Sequence, residues 1–266
     1  MAFIQAQSMN DVNALADGQW HWNGLLNPKG RLIALFALVR IRADLVYLLM
    51  PDFPAEKLRT HLQRFVFRSK VKLVLDTGNV FAAEFDLGTG ADLPRDFIVG
   101  DTENGLVLDF SSDAISRRLW MLPIRLAAGI PYSTIVEAKW RDADISHGLP
   151  RFSETQIELW TPQMLSLERL NAFSLKKGCY PGQEIVARTH YLGQAKRQTC
   201  LVQAEHLDAL LAIYRGQEKV GEIICVNSKA DRGLAILQSL GDSDSLNSGE
   251  NRVMPLQALT GLQRPT

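Results

Sequence analysis

One short segment gathers most of the residues in this chain that could do chemistry. It reads Lys177-Gly178-Cys179-Tyr180-Pro181-Gly182-Gln183-Glu184, so a thiol, a carboxylate and a Pro-Gly pair lie together, with a second lysine, Lys176, just ahead. A Pro-Gly pair is typical of the centre of a type II turn. The residues from Gln183 to Arg188 read as the start of a short helix. Cys179 is then predicted near a helix N-terminus and beside two lysines, where the thiolate is favoured.

Two interpretations of Cys179 compete. It is a reactive thiol that attacks a substrate or carries a one-carbon unit, or it is a buried cysteine that fills space in the core. The adjacent lysines and the turn disfavour burial, so we predict that Cys179 is the catalytic residue. His190 is the nearest candidate for the base of a Cys/His dyad, but the sequence does not fix the geometry of that pair.

The residues after the turn suggest a binding face. Glu184, Arg188 and Tyr191 have the spacing i, i+4 and i+7, which puts them on one side of a helix. They form a solvated ion pair of about 0.2–0.5 kcal/mol, or they grip a heteroaromatic ligand with an acidic tail, because arginine binds carboxylates bidentately. The residues alone support both interpretations.

Composition and charge narrow the class of protein. The 266 residues suffice for one large core or two domains, and 29 basic residues balance 29 acidic ones. This neutrality argues against a general nucleic-acid coat and against a membrane-surface protein. Basic residues still concentrate in 29–42 and 169–197. These two stretches are ordinary surface clusters, or they meet around a small anionic ligand.

The cysteines and the apolar segments point to a reducing compartment. Three widely spaced cysteines, with no zinc-ligand pattern, predict free thiols and no metal site. Cys200 and Cys225 fall in predicted strands and are interpreted as inert packing residues. The N-terminus lacks the pattern of a signal peptide, and the longest apolar block, Leu32 to Val39, is far shorter than the roughly 20 residues of a spanning helix. We therefore expect a soluble, cytoplasmic protein with no membrane partner.

A hairpin is predicted near the N-terminus. Alternating residues from Gln19 to Leu26 and the apolar run from Arg31 to Ile41 predict two strands around the turn Asn27-Pro28-Lys29-Gly30. Trp20 and Trp22 share one face and are interpreted as core residues rather than as a stacking platform. The basic flank of the turn makes Asn27 and Lys29 candidates for a second wall of the site.

The remaining elements predict an α+β fold, because strands precede helices without regular βαβ alternation. Helices are predicted over 8–16, 54–67, 133–144 and 163–172. Strands are predicted over 44–50, 72–75, 80–85, 106–110 and 118–122, with 72–75 paired to 80–85. The polar run from Gly241 to Asn251 is predicted to be an exposed loop.

The C-terminal quarter has a different composition. Four short, β-rich segments separated by turn residues predict a small β-barrel; they are Arg197–Gln203, Lys219–Val226, Gly233–Gln238 and Arg252–Ala258. The boundary is placed near Ala195. The predicted domains are therefore 1–195, an α+β region of one or two subdomains, and 196–266, the barrel.

The segment around Cys179 resembles that of the YgfZ-type folate-binding proteins, which are relatives of the glycine-cleavage aminomethyltransferase, or T-protein. Its K-G-C-Y-x-G-Q-E signature occurs here at residues 177–184 without a departure. Flanking matches are Pro162-Gln163-Met164, Leu170-Asn171-Ala172 and Gly193-Gln194-Ala195-Lys196-Arg197. The turn at 27–31 and the segment Gly148-Leu149-Pro150 give weaker support.

The resemblance implies a folate-binding region around a central opening, a C-terminal β-barrel, and tetrahydrofolate or a related reduced folate as cofactor. A folate has an acidic tail that suits the basic stretches, and its pterin ring has paired N–H donors that suit a carboxylate such as Glu184. With the helix face and the hairpin turn, the predicted folate-binding residues are Lys177, Gly178, Tyr180, Gly182, Gln183, Glu184, Arg188, Tyr191, Lys29 and Asn27.

Three functions are consistent with this resemblance. The first is a folate-binding protein that supports iron–sulfur cluster assembly or repair and, through such enzymes, tRNA modification, with client or assembly proteins as partners. The second is an aminomethyltransferase that transfers a one-carbon unit to tetrahydrofolate. The third is a non-enzymatic, folate-sensing adaptor of tRNA modification. Zero net charge argues against strong direct binding of nucleic acid.

Overall fold

A three-stranded antiparallel sheet forms the centre of the N-terminal part of the protein. The computed structural model describes residues 1–86, 94–193, 195–238 and 245–264. After helix α1 (Ala2–Gln7), the sheet consists of β1 (Trp20–Leu26), β2 (Leu32–Arg42) and β3 (Leu45–Leu49), in that order. Trp22 pairs with Ala37 in the register of β1 and β2. The predicted hairpin is confirmed.

Strand β2 is buried on both faces, which explains its long apolar run. Leu35, Ala37 and Val39 belong to one hydrophobic cluster, whereas Phe36 and Leu38 belong to a second one on the other side. A strand between two layers needs apolar residues at every position, not at alternate ones. The apolar run from Leu32 to Val39, predicted as part of a strand, is therefore in the central strand of a core.

A second antiparallel sheet faces the first. It consists of β4 (Asn79–Phe85), β5 (Val99–Asp101), β6 (Gly105–Asp109) and β7 (Arg117–Pro123), in the order β4-β7-β6-β5. The other helices are α2 (Ala55–Gln63), α3 (Thr134–Ser146) and α4 (Gln183–Leu192). Helix α3 begins as predicted, because the Ser133 side chain accepts a hydrogen bond from the backbone N–H of Val136 at 3.3 Å.

The C-terminal strands close into a barrel of order β10-β11-β8-β13-β12-β9. Its strands are β8 (Arg197–Gln203), β9 (Ala212–Arg215), β10 (Glu218–Val226), β11 (Arg232–Gln238), β12 (Leu246–Ser248) and β13 (Asn251–Leu256). The predicted α+β fold with a C-terminal barrel is confirmed. Strands β9 and β12 were not predicted, because their four and three residues are too few to show alternation.

The barrel is joined to the N-terminal part by polar contacts and by the returning chain. The Asp142 carboxylate accepts hydrogen bonds from the backbone N–H and hydroxyl of Ser228, at 2.7 and 2.6 Å. After β13, the chain returns to the N-terminal part, where the backbone N–H of Leu259 donates to the backbone carbonyl of Ser146 at 2.8 Å. Residues 257–264 therefore pack against the N-terminal part, although the predicted division assigned them to the barrel domain.

Several local predictions are wrong. The helix predicted over 8–16 is replaced by α1 and a single 3-10 turn at Val12–Ala14, because the side chains of Ser8, Asn10 and Asp11 bond to backbone groups instead. Residues 163–172 contain only the 3-10 turn Leu167–Leu170. Residues 72–75 are not a strand, and β4 pairs with β7 instead.

Two other predictions fall partly on residues outside the described ranges. The loop predicted from Gly241 to Asn251 includes 241–244, which lie outside them, and its described part contains the short strand β12. Gln194, in the flanking match to the family, also lies outside them.

Candidate functional site

A cavity of about 370 Å³ opens between the two N-terminal sheets and α3. This volume lies within the range of small-molecule sites, about 300–1,000 Å³. Its walls are rich in aromatic side chains, which are Trp22, Phe81, Phe110, Tyr132 and Trp140. The cavity can accept a flat, mostly apolar ring system.

Packing and hydrogen bonding hold these walls in place. The ring centre of Phe110 is 5.7 Å from that of Trp22 and 5.2 Å from that of Trp140, both in edge-to-face geometry. The indole N–H of Trp22 donates to the backbone carbonyl of Leu262 at 2.8 Å. Trp22 and Trp140 are thus part of a preformed wall. The C-terminal segment that contains Leu262 holds Trp22 in place.

A buried network neutralises the charges at the floor of the cavity. The Asp144 carboxylate lies 2.7 Å from Arg117 Nη1 and 2.9 Å from Arg151 Nη1. Arg151 Nε also donates to both carboxylate oxygens of Asp52, at 2.8 and 2.9 Å. Two arginines therefore oppose two aspartates. Arg151 lines the cavity, but its guanidinium group is already paired with Asp52 and Asp144 and therefore offers little to an acidic ligand group.

The rim of the cavity, defined here as Tyr132 and Glu137, is exposed and carries a carboxylate outside that network. The Tyr132 hydroxyl donates to Glu137 Oε2. Glu137 lies in the first turn of α3, where a negative charge is favoured by the helix dipole. This carboxylate can accept N–H donors from a ring that enters the cavity.

The segment 177–184, called the signature loop below, contains the predicted type II turn. The backbone N–H of Gln183 donates to the Tyr180 carbonyl at 3.2 Å, and Gly182 has φ 77° and ψ −1°. Helix α4 begins at Gln183, immediately after the turn. Cys179 lies four residues before this helix and is exposed, so the prediction that it is not a core residue is confirmed.

The hairpin turn at 27–30 packs directly on the signature loop. A Cβ on Gly182 would lie 2.5 Å from the Asn27 carbonyl oxygen, and a Cβ on Gly30 would lie 2.8 Å from Ile185 Cβ. Both glycines also have positive φ values. The hairpin turn and the signature loop, predicted as two walls of one site, are therefore in contact. The contact requires glycine at positions 30 and 182, because a side chain at either position would clash with the facing segment.

Lys177 has a structural role. Its ammonium group is buried and donates to the backbone carbonyls of Gln5, Ser8 (2.6 Å) and Asn10 (3.1 Å). Burial lowers the pKa of Lys177 to about 8, and the Asp11 carboxylate opposes that shift. All three ammonium protons are engaged, so this side chain fastens the signature loop to the N-terminal segment and does not reach a ligand.

Other signature residues also hold the loop from the inside. Tyr180 is buried, its hydroxyl donates to the Ser174 carbonyl at 3.2 Å, and burial raises its pKa to about 12. The Gln183 amide donates to the Lys177 carbonyl at 3.3 Å. Asn27 Oδ1 accepts from the backbone N–H of Lys29 and Arg31, which fixes the hairpin turn.

Six of the predicted site residues in this region, counting Cys179, are exposed. They are Gly178, Cys179, Glu184, Arg188, Tyr191 and Lys29. Within the described residues, Glu184 and Arg188 do not form an ion pair with each other. These side chains are available to a partner at the surface.

The predicted folate-binding residues and the cavity are separate. None of the ten residues predicted to bind folate, nor Cys179, is among the described residues that line the cavity. The basic stretches 29–42 and 169–197 contribute no charged side chain to the described lining of this cavity, whose charged residues are Glu137, Asp144 and Arg151. The hairpin turn folds against α4 and so carries Lys29 to the signature loop instead.

Most residues that line the cavity were not predicted as site residues from the sequence. Trp22 was interpreted as core, and it is buried, but it also lines the cavity. Asp144 and Arg151 flank the Gly148-Leu149-Pro150 segment, whose match to the family was the one available signal. Residues from distant strands meet here, and their spacing in the sequence contains no common pattern.

The other cysteines differ from Cys179. Cys225 is buried in β10, and burial raises the pKa of its thiol to about 11. Burial also raises the pKa of the half-buried Cys200. Among the residues that the structure describes, no group of three or more His, Cys, Asp or Glu side chains could hold a metal ion. No helix in these ranges combines the length and apolar character needed to cross a membrane.

Comparison with known proteins identifies relatives over most of the chain, although no family model matches it. The tRNA-modifying protein YgfZ of Colwellia psychrerythraea is 26% identical over 262 residues, which cover 91% of this chain and 80% of that protein. The protein of that name from Edwardsiella ictaluri is 27% identical over 91% of this chain and 79% of its own length. The resemblance to the YgfZ proteins is confirmed. The YgfZ of Aliivibrio fischeri ES114 is 30% identical over 76% of this chain and 64% of its own length.

A solved structure shows the same fold as this YgfZ-like chain. The glycine cleavage system aminomethyltransferase T from Bartonella henselae matches with a TM-score of 0.73, covering 99% of this chain and 81% of that one. The two sequences are 13% identical. The match therefore establishes a common architecture and does not carry an activity.

Proposed function

We propose that this protein binds tetrahydrofolate or a related reduced folate in its central cavity and supports the assembly or repair of iron–sulfur clusters. Cys179 is its reactive group, and the clients include enzymes that modify tRNA. The proposal keeps the ligand and thiol expected from the sequence but moves the ligand from the signature loop to the cavity. Client or assembly proteins would then meet the surface around Cys179.

The observation that carries the proposal is the aromatic cavity, about 370 Å³ in volume, in a fold shared with an aminomethyltransferase. Trp22, Phe110 and Trp140 offer edge and face contacts to a flat heteroaromatic ring. The relatives carry the name tRNA-modifying protein, which supports the link to tRNA modification. A pterin combines the flat ring with the polar edge that such a site would recognise.

Glu137 takes the role that was expected of Glu184. Its carboxylate lies at the rim and outside the buried ion pairs, so it would accept the paired N–H donors of a pterin. The acidic tail would extend toward solvent, because the guanidinium of Arg151 is already paired with Asp52 and Asp144. Ring recognition would therefore contribute more to affinity than the tail does.

Cys179 would act at a distance from the folate ring. The buried side chains of Lys177 and Tyr180 hold its loop in place through hydrogen bonds to backbone carbonyls, whereas the thiol itself is exposed to solvent. A thiolate can bind a metal cluster or accept an electrophilic carbon. A fixed loop with an exposed thiol suits presentation to a second protein.

Calorimetric titration of tetrahydrofolate tests the placement of the ligand. We expect Trp140→Ala and Glu137→Gln to weaken binding by tenfold or more, whereas Glu184→Gln and Arg188→Ala retain the wild-type affinity. The opposite pattern would return the ligand to the signature loop and overturn the proposed cavity site.

A Cys179→Ala variant tests the role of the thiol. It should keep its folate affinity and lose the ability to restore the activity of iron–sulfur enzymes in cells that lack the wild-type protein. Full restoration by this variant would contradict the proposal and favour the folate-sensing adaptor.

The shared fold favours one alternative, an aminomethyltransferase. Such an enzyme would release ammonia from a lipoyl-bound aminomethyl group and pass the carbon to tetrahydrofolate. Turnover of that substrate by the wild-type protein would establish the alternative, and its absence under conditions where folate binds would exclude it.

A further inference from the structure

A second basic region lies far from the signature loop in sequence. Residues 64–75, called the basic segment, follow α2 and contain Arg64, Arg68, Lys70 and Lys72 but no acidic residue. All four cations are exposed. Within the described ranges, none of them forms an ion pair or a side-chain hydrogen bond. By contrast, the neighbouring Lys57 and Arg59 are paired with Glu154 and Glu56.

The conformation of the segment places its lysines on one side. Residues 69–77 run without helix, strand or turn. Lys70, Lys72 and Val74 are exposed, whereas the intervening Val71 and Leu73 are partly buried, and Leu73 packs on the hydrophobic cluster beneath. This alternation is that of an extended chain with one face on the protein. The outer face presents Lys70 and Lys72, which form no ion pair within the described ranges.

An exposed aromatic side chain, Phe67, lies three residues before Lys70 in the sequence. Phe67 is 85% exposed, more than any other large hydrophobic residue in the described chain, and it lies between Arg64 and Arg68. Covering this phenyl ring with a bound partner would be favourable, because it removes apolar area from water. Proteins that bind single-stranded nucleic acid combine cations along the phosphate backbone with aromatic side chains that stack on the bases.

We infer that the basic segment binds single-stranded nucleic acid, with its four cations on phosphates and Phe67 stacked on a base. An acidic polypeptide would satisfy the cations but would give the phenyl ring no extended π face. Four phosphate contacts are few, so the binding is weak and sensitive to salt. This agrees with the argument from zero net charge, which disfavours only strong binding. The inference does not depend on the proposed folate site.

Fluorescence anisotropy with a labelled oligouridylate tests this inference on the full chain. Each neutralised phosphate contributes a slope of about −0.7 to the logarithm of the binding constant against the logarithm of salt concentration, so four cations predict a slope of about −3. Lys70→Gln and Lys72→Gln should each reduce its magnitude by about 0.7. The matched control is Lys229→Gln, an exposed lysine in a turn of the barrel, which should leave the slope unchanged.

Phe67→Ala separates stacking from charge. Loss of one stacked base should weaken binding about tenfold without changing the salt slope. Absence of oligouridylate binding by the wild-type protein would overturn the inference, as would equal slope changes in Lys70→Gln and Lys229→Gln. If an oligoglutamate probe binds as tightly as the oligouridylate, and Phe67→Ala does not weaken that binding, the segment binds an acidic polypeptide instead.

Discussion

The central cavity and the signature loop are built in opposite ways. The cavity draws its lining from both N-terminal sheets, from α3 and from the segments on either side of that helix, and its Asp144 and Arg151 are paired in a buried network. The loop draws almost everything from one continuous segment and leaves its thiol and several charges exposed. A ligand in the cavity and a partner at the exposed thiol would therefore contact separate parts of the fold.

Strand β1 connects the two regions. Trp22 points to the cavity, whereas His21 and Asn23 point to the opposite side, where a buried polar cluster with Asn10 lies beside the carbonyls that bind Lys177. Successive residues of a strand face opposite sides, so one short sequence serves both regions. A change in this strand should therefore affect both.

The largest effect is expected in the cavity floor. Asp144→Ala removes the partner of the buried Arg117 and should lower the free energy of unfolding by about 3–5 kcal/mol, because it leaves an uncompensated buried charge. The control, Asp44→Ala, breaks an exposed ion pair with Arg42 and should cost about 1 kcal/mol or less. Urea unfolding compares the two, and similar losses would show that the network does not stabilise the cavity.

The next effect belongs to the signature loop. Gly182→Ala forces a side chain into a positive φ and against the Asn27 carbonyl, so we expect a loss of about 2 kcal/mol. Gly178→Ala is the matched change in the same loop, where a Cβ meets nothing within 4 Å, and it should be close to neutral. Thermal unfolding distinguishes the two glycines. A neutral Gly182→Ala would mean that the hairpin turn and α4 do not depend on their close approach.

The shared strand predicts a pH dependence. Burial lowers the pKa of His21 from 6.5 to about 3, with Asp11 opposing the shift and Lys177 adding to it. As the pH falls below 6.5, the unfolded state therefore takes up a proton that the folded state refuses, and stability is lost by up to about 1.4 kcal/mol per pH unit. The stability that comes from keeping His21 neutral is therefore fully present above pH 6.5.

His21→Gln removes that titration while keeping a polar side chain. Its unfolding free energy, followed by urea titration at pH 6.5 and pH 5, should fall less steeply than that of the wild type. His147, whose pKa is also lowered by burial, leaves a residual slope in both proteins. An unchanged slope in the variant would show that His21 is not held neutral.

The smallest effect on stability is expected at Cys179. Cys179→Ser should leave the unfolding free energy unchanged, because the side chain is exposed and its loop is held by Lys177 and Tyr180. Timed alkylation with iodoacetamide and mass spectrometry should label Cys179 first. The buried Cys225, with its pKa raised to about 11, should react only on unfolding. Equal rates for the two thiols would contradict the contrast between surface and core.

Local features were predictable wherever neighbours in sequence decide the structure. The type II turn at Pro181-Gly182, the start of α4, the hairpin of β1 and β2, and strand β8 all depend on nearby residues. Prediction failed where side chains competed with regular structure, as at Ser8 and Asn10, and where strands were very short, as in β9 and β12. Lys177 looked like a ligand contact because its three carbonyl partners lie about 170 residues earlier.

The sequence by itself determined the resemblance, the turn around the thiol and the class of fold. Only the tertiary structure decided that the signature loop and the cavity are separate, and that Glu137, Asp144 and Arg151 supply the charges of the cavity. The physical reason is that the turn within the loop is set by bonds between near neighbours, whereas a cavity is the space left between elements after they pack. No spacing along the chain encodes that space.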